Sequence, residues 1–300
     1  MNTEVKIAGV SFKNPVMTAS GTFGSGIEYA EMTDLNRLGA VVTKGVANVP
    51  WEGNPTPRVT EVYGGMLNAI GLQNPGVDVF IERDLKFLED YDTNVIVNVC
   101  GHTVEEYCEV VEKLNDTKAA MYEINVSCPN VKAGALAFGQ DAKVLEETTK
   151  AIKKVAKKPV IMKLSPNVTS IKDMAAAAEA GGADAISLIN TLIGMKIDIY
   201  KKKFVLANRT GGFSGPAVKS VAVRMVYDAA HAVKIPVIGM GGIGSAEDAL
   251  EFILAGATGV SVGTANFTDP QATLKVIDGI QEYMVKYGVN DINSLIGAVG

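Results

Sequence analysis

The chain has 300 residues, 47% of them hydrophobic and 20% charged, the make-up of a soluble globular protein with a large core. Its formal net charge of -5 has the wrong sign for a phosphate backbone, so nucleic acid is not an expected partner. No run of eighteen apolar residues marks a membrane span and no signal-peptide layout opens the chain, while three scattered cysteines fit thiols in a reducing cytoplasm.

Glu4–Lys13 alternates in polarity around Ala8-Gly9 and predicts a β-hairpin, placed to plug the floor of a larger fold. Short apolar runs then follow at Pro15–Ala19, Ala40–Thr43, Val95–Val99, Met121–Val126, Val160–Leu164, Ala185–Ile189, Pro236–Gly239 and Gly259–Val262. They are continuous rather than alternating, as expected of parallel strands covered on both faces. Helix-like segments such as Ala142–Ala156 and Ala217–Val233 separate them. Gly-Ala steps at Gly39-Ala40, Gly182-Ala183 and Gly256-Ala257 predict left-handed helix ends that lead into strands. Ser170 followed by Asp173, and Ser245 followed by Asp248, predict helix N-caps. Eight strands alternating with helices read as an α/β fold, a (β/α)8 TIM barrel in one unit over residues 1–300, with a doubly wound sheet as the main competitor. Residues 49–76 and 191–216, rich in Gly, Pro and Asn, are long connections after the second and sixth strands, expected to cover the active site.

Polar or bare-backbone residues close each strand: Ser20-Gly21, Lys44-Gly45, Asn98, Asn125 with Ser127-Cys128, Lys163 with Ser165, Asn190-Thr191, Gly241-Gly242 and Gly263-Thr264. Barrel enzymes place their sites at this carboxyl rim, and glycine loops after the last two strands often hold phosphate. The string from Gly239 to Gly244 also matches a dinucleotide fingerprint, read here as accidental, because no acidic residue ends a second strand about 20 residues on. Glycines that only make a tight strand–helix turn fit it equally well. Lys44 and Lys163 are open to three readings: salt-bridged lysines, contacts to an anion or carbonyl, or Schiff-base nucleophiles. Cys128, set at a loop start by Pro129, is the candidate catalytic cysteine; Cys100, Cys108, His102 and His231 are read as structural.

The run Asn125-Val126-Ser127-Cys128-Pro129-Asn130 resembles the catalytic loop of class 1 dihydroorotate dehydrogenases. The resemblance runs nearly end to end, through Ala19-Ser20-Gly21, Gly53-Asn54-Pro55-Thr56-Pro57-Arg58, Asn68-Ala69-Ile70-Gly71-Leu72, Lys163-Leu164-Ser165-Pro166-Asn167, Ser214-Gly215-Pro216-Ala217 and Val262-Gly263-Thr264-Ala265. It implies FMN held by Ser20, Gly21, Lys44, Gly45, Asn98, Asn125, Lys163, Ile189, Gly215, Gly241, Gly242, Gly263 and Thr264. It implies a pyrimidine held by Lys44, Asn68, Ala69, Ile70, Gly71, Leu72, Asn125, Asn190 and Thr191, with Cys128 as general base. The class 2 enzymes use serine there and carry an N-terminal helical extension.

Leu72-Gln73-Asn74-Pro75-Gly76 and Gly263-Thr264-Ala265-Asn266-Phe267 resemble the NAD-linked 1B branch rather than the fumarate-linked 1A branch. That branch implies a second subunit with FAD and a [2Fe-2S] cluster, in a heterotetramer of two catalytic and two electron-transfer subunits. Three dispersed cysteines do not supply the four thiolates such a cluster needs, so it is expected on the partner. One departure is Gly134-Ala135, where many relatives have paired glycines. The rival readings are a dihydropyrimidine dehydrogenase type of flavin barrel, a lysine Schiff-base aldolase and a phosphate-binding module without catalysis.

Overall fold

Eight short runs of buried residues pair side by side into a closed parallel barrel. The computed structural model describes residues 1–126 and 138–300. The barrel strands are β1 (Val16–Thr18), β2 (Ala40–Val42), β3 (Asn94–Val99), β4 (Met121–Asn125), β5 (Val160–Lys163), β6 (Ala185–Leu188), β7 (Val237–Met240) and β8 (Gly259–Val262). Each lies within one residue of its expected ends, because a strand covered on both faces must be apolar along its whole length. Every strand pairs with its sequence neighbours, and β8 returns to β1 through Val260↔Val16, Ser261↔Met17 and Val262↔Thr18. That closure excludes the doubly wound sheet.

Helices Val104–Leu114, Ala142–Val155, Ile171–Ala180, Lys219–Ala230, Ala246–Leu254 and Ala272–Tyr287 connect or follow the later strands. The segment expected as one helix over Ala217–Val233 is shorter, because Gly215 (φ 117°) and Pro216 first form a 3-10 turn over Pro216–Val218. Both predicted caps form. Ser170 Oγ accepts from the Asp173 N–H, and Ser245 with Asp248 makes a reciprocal capping box.

The Gly-Ala junctions differ among themselves. Gly182 (φ 91°) and Gly256 (φ 115°) take the positive φ that the sequence led us to expect. Gly39 does not; a methyl there would stand 2.3 Å from the Asn14 carbonyl oxygen, so close approach to the chain entering β1 selects it.

The hairpin forms from Val5–Ile7 and Val10–Phe12, turning at Ala8 and Gly9. It buries Val5, Ile7 and Phe12 at the barrel's lower end, where Ile7 Cδ1 meets Gly259 at the start of β8. At the other end the two long connections are not loose loops. Val59–Val62 and Gly65–Asn68 from the first join Leu192–Met195 and Thr210–Ser214 from the second in one four-stranded antiparallel sheet. Among the described residues no helix is long and apolar enough to cross a membrane.

Candidate active site at the carboxyl rim

A cavity of about 1630 Å³ opens where the barrel strands end, and the four-stranded sheet forms one of its walls. All eight strands supply it with residues at or just beyond their ends, from Ser20 and Gly21 after β1 to Gly263 and Thr264 after β8. Of the residues expected to hold FMN, Ser20, Gly21, Lys44, Asn125, Lys163, Ile189, Gly215, Gly241, Gly242, Gly263 and Thr264 line it. So do all those expected to hold the pyrimidine: Lys44, Asn68, Ala69, Ile70, Gly71, Leu72, Asn125, Asn190 and Thr191.

Gly45 and Asn98 sit behind this wall, both buried. A methyl on Gly45 would stand 2.9 Å from Asn98 Oδ1, so the two pack face to face. Ser127 and Cys128 lie outside the described residues, as do Pro129 and the Gly134-Ala135 departure. Val126 and Gly139, the nearest cavity-lining residues to either side, belong to the described part.

Asn125 is nearly buried at the end of β4, its carbonyl accepting from the Tyr107 hydroxyl at 2.7 Å. Asn190 Nδ2 donates to Asn125 Oδ1 at 3.0 Å, and Asn190 Oδ1 accepts from the Thr191 N–H at 2.8 Å. Asn167 braces the same corner, donating to the Thr191 carbonyl at 3.0 Å and accepting from the Ile193 N–H at 3.1 Å. Amide side chains present both donors and acceptors, which suits a ligand edged with alternating N–H and C=O groups.

Two lysines bring positive charge to the wall. Burial pushes the Lys44 ammonium's pKa down; Cys100 opposes this, while the Lys163 and Arg58 cations add to it. Lys163 is ion-paired instead, its Nζ donating to Glu123 Oε1 at 3.2 Å in the barrel interior. That satisfies the salt-bridged reading for Lys163 while leaving it on the cavity wall.

At the far end Gly241 and Gly242 have positive φ (127° and 80°), and a methyl on Gly242 would stand 2.9 Å from the Gly215 carbonyl oxygen. Thr264 Oγ1 donates to Ser214 Oγ at 2.8 Å, joining the end of β8 to the cover sheet. Gly239, the first glycine of the fingerprint-like string, lies inside β7, where a methyl would meet Phe252 at 2.6 Å. Its role is strand–helix packing. The Gly244 N–H, at the string's other end, donates to the Asp248 carboxylate.

Sequence reasoning missed Glu123, Asn167, Arg58, Trp51 and His102 as parts of this site. Asn167 and Arg58 stood in the quoted motifs without a role. Trp51 and His102 stack at 4.0 Å between ring centroids on the cavity wall, a pairing across distant segments that spacing does not reveal. Glu123 carried a signal, since a lone carboxylate in a buried strand must find a partner.

The sequence matches the dihydroorotate dehydrogenase family over residues 2–284. It is 68% identical over 299 residues to the catalytic subunit of dihydroorotate dehydrogenase B (NAD(+)) from Lachnoclostridium phytofermentans, covering all of both chains. The corresponding subunit from Alkaliphilus metalliredigens is 64% identical, with 100% of this chain and 99% of the relative covered. Among solved structures, dihydroorotate dehydrogenase from Eimeria tenella in complex with ferulenol superposes with a TM-score of 0.83 at 23% identity. The match covers 99% of this chain and 88% of that one, and it shows the shared fold.

Proposed function

Because this chain belongs to the dihydroorotate dehydrogenase family, we propose that it oxidises dihydroorotate to orotate in pyrimidine biosynthesis as an NAD-linked catalytic subunit. The observation that carries this reading is the convergence of Lys44, Asn68, Asn125, Asn190 and Thr191 on one cavity, in a chain 68% identical to such a subunit.

The residues present fit FMN as resident cofactor. Positive-φ glycines at 215, 241 and 242 leave bare backbone where side chains would collide, and the buried Ser261 Oγ has no hydrogen-bond partner among the described residues. Ser20, Gly21, Lys44, Asn125, Lys163, Ile189, Gly215, Gly241, Gly242, Gly263 and Thr264 would hold it, with Gly45 and Asn98 supporting from behind. When bound, FMN would supply the acceptor for the hydride that leaves C6 of the substrate.

The chain's own residues do the rest. Cys128 takes the proton from C5 as general base, which requires a thiolate at the working pH. Asn68, Asn125, Asn190 and Thr191 orient the ring through its amide edges, and the Lys44 ammonium meets its negative charge.

The whole chain acts as one FMN-binding unit in the cytoplasm. Electrons leave through a partner subunit carrying FAD and [2Fe-2S], in an assembly of two subunits of each kind. The relatives' names, which specify a catalytic subunit and NAD(+), support this, as do three cysteines where a cluster needs four.

The test is the visible spectrum of the purified chain before and after anaerobic addition of dihydroorotate. A flavin band that bleaches is expected. Flavin that stays oxidised moves the substrate to another pyrimidine, and a chain that takes up no FMN overturns the cofactor assignment.

A further inference from the structure

Glu123 is 1% exposed and lies behind the cavity wall, yet its carboxylate accepts from side chains on three other strands. Asn98 on β3 donates Nδ2 to Oε1 at 2.7 Å, Lys163 on β5 donates Nζ to the same oxygen at 3.2 Å, and Ser187 on β6 donates Oγ to Oε2 at 2.8 Å. The ladder sets Asn98 opposite Glu123, and sets Lys163 and Ser187 in register with Asn125, two residues further along β4, so all three side chains lie within reach of the Glu123 carboxylate.

Apolar residues of similar volume would fill a barrel interior without the cost of desolvating two ions. The fold alone therefore does not call for an ion pair here. What sets this pair apart is that Lys163, 5% exposed, reaches the cavity, while its carboxylate does not. Asn98 and Ser187 fix the carboxylate from either side. Because an ionised carboxylate only accepts, the Asn98 amide must turn Nδ2 toward Glu123 and Oδ1 away from it.

We propose that Glu123 is a positioning residue: it supplies the counter-charge and the anchor that hold the Lys163 ammonium against the ligand in the cavity. Negative charge arriving on that ligand is then met by a fixed cation. The inference rests on the FMN reading above, in which the ligand behind Lys163 is the flavin.

Sulfite tests it without substrate turnover. It adds reversibly to oxidised flavins, bleaches their visible band and leaves negative charge on the ring, so its Kd reports positive charge held nearby. Glu123→Gln keeps an acceptor for Asn98 and Lys163 but removes the counter-charge. Loss of one negative charge would by itself tighten sulfite binding, so a weakening reads displacement of the Lys163 ammonium. We expect this variant to bind FMN and to lose about tenfold in sulfite affinity, within the range for coupled neighbours. In a Lys163→Met background the same substitution causes no loss.

Equal losses in both backgrounds, or no loss in Glu123→Gln alone, overturn the proposal. If Lys163→Met fails to retain FMN, Glu123→Asp decides: it must recover part of the affinity that Gln loses, and an Asp variant no better than Gln overturns the proposal. Wild-type chain that takes up no FMN defeats the cofactor reading, and this inference with it. Flavin-loaded wild type with the failed pattern defeats this inference alone.

Discussion

The Asn190 side chain donates its Nδ2 to Asn125 Oδ1 at 3.0 Å, tying the end of β6 to the end of β4 across β5. Both amides are thereby held in one orientation on the cavity wall. Asn190→Ala removes that donor and a proposed ligand contact together. We expect orotate to bind about 10- to 100-fold more weakly, since a lost hydrogen bond that strands a buried partner costs about 1–3 kcal/mol. FMN content should be unchanged. Titrating the flavin band with orotate measures both.

Lys44 carries the pH dependence. Burial sets its pKa below the ordinary lysine value of 10.5, with Lys163 and Arg58 adding to the effect and Cys100 opposing it. The ammonium is present below that lowered pKa and is lost as pH rises through it. Affinity for the orotate carboxylate should therefore fall at a pH where an exposed lysine would still be charged. Lys44→Gln should bind about 10- to 100-fold more weakly near neutral pH, as expected for losing a charged hydrogen bond, and show no such fall. A fall that persists in Lys44→Gln would assign the titration elsewhere.

Cys128 is assigned by resemblance and lies outside the described residues. Cys128→Ala should retain FMN and lose about 100- to 10,000-fold in dihydroorotate oxidation, the usual contribution of a general base. Cys128→Ser should keep weak activity displaced to higher pH. Stopped-flow reduction of the bound flavin by dihydroorotate reads the step directly, and normal rates in the Ala variant would remove Cys128 from the mechanism.

Gly65 shows how the cover sheet depends on one missing side chain. A methyl there would stand 2.0 Å from the Ser214 carbonyl oxygen, in the pairing that joins the two insertions. Gly65→Ala should lower stability by about 1–3 kcal/mol, the usual cost of overpacking. It should also weaken orotate binding more than FMN binding, because Asn68 through Leu72 follow directly in the same wall. Denaturant unfolding and ligand titration check the two parts separately.

The sequence by itself determined the eight strands, both serine caps, the floor hairpin and the strand-end residues of the cavity wall. Each of these depends on local chemistry: a strand covered on both faces is continuously apolar, a cap needs a hydroxyl next to the first turn, and a barrel puts its rim residues at strand ends. Only the tertiary structure decided that residues 49–76 and 191–216 form one sheet, since antiparallel pairing between segments more than a hundred residues apart leaves no periodic mark on either. The same holds for Glu123. Its residue type announced a buried charge in need of a partner, but the partner was fixed by strand register in a closed barrel, which sets Asn98, Lys163 and Ser187 around it.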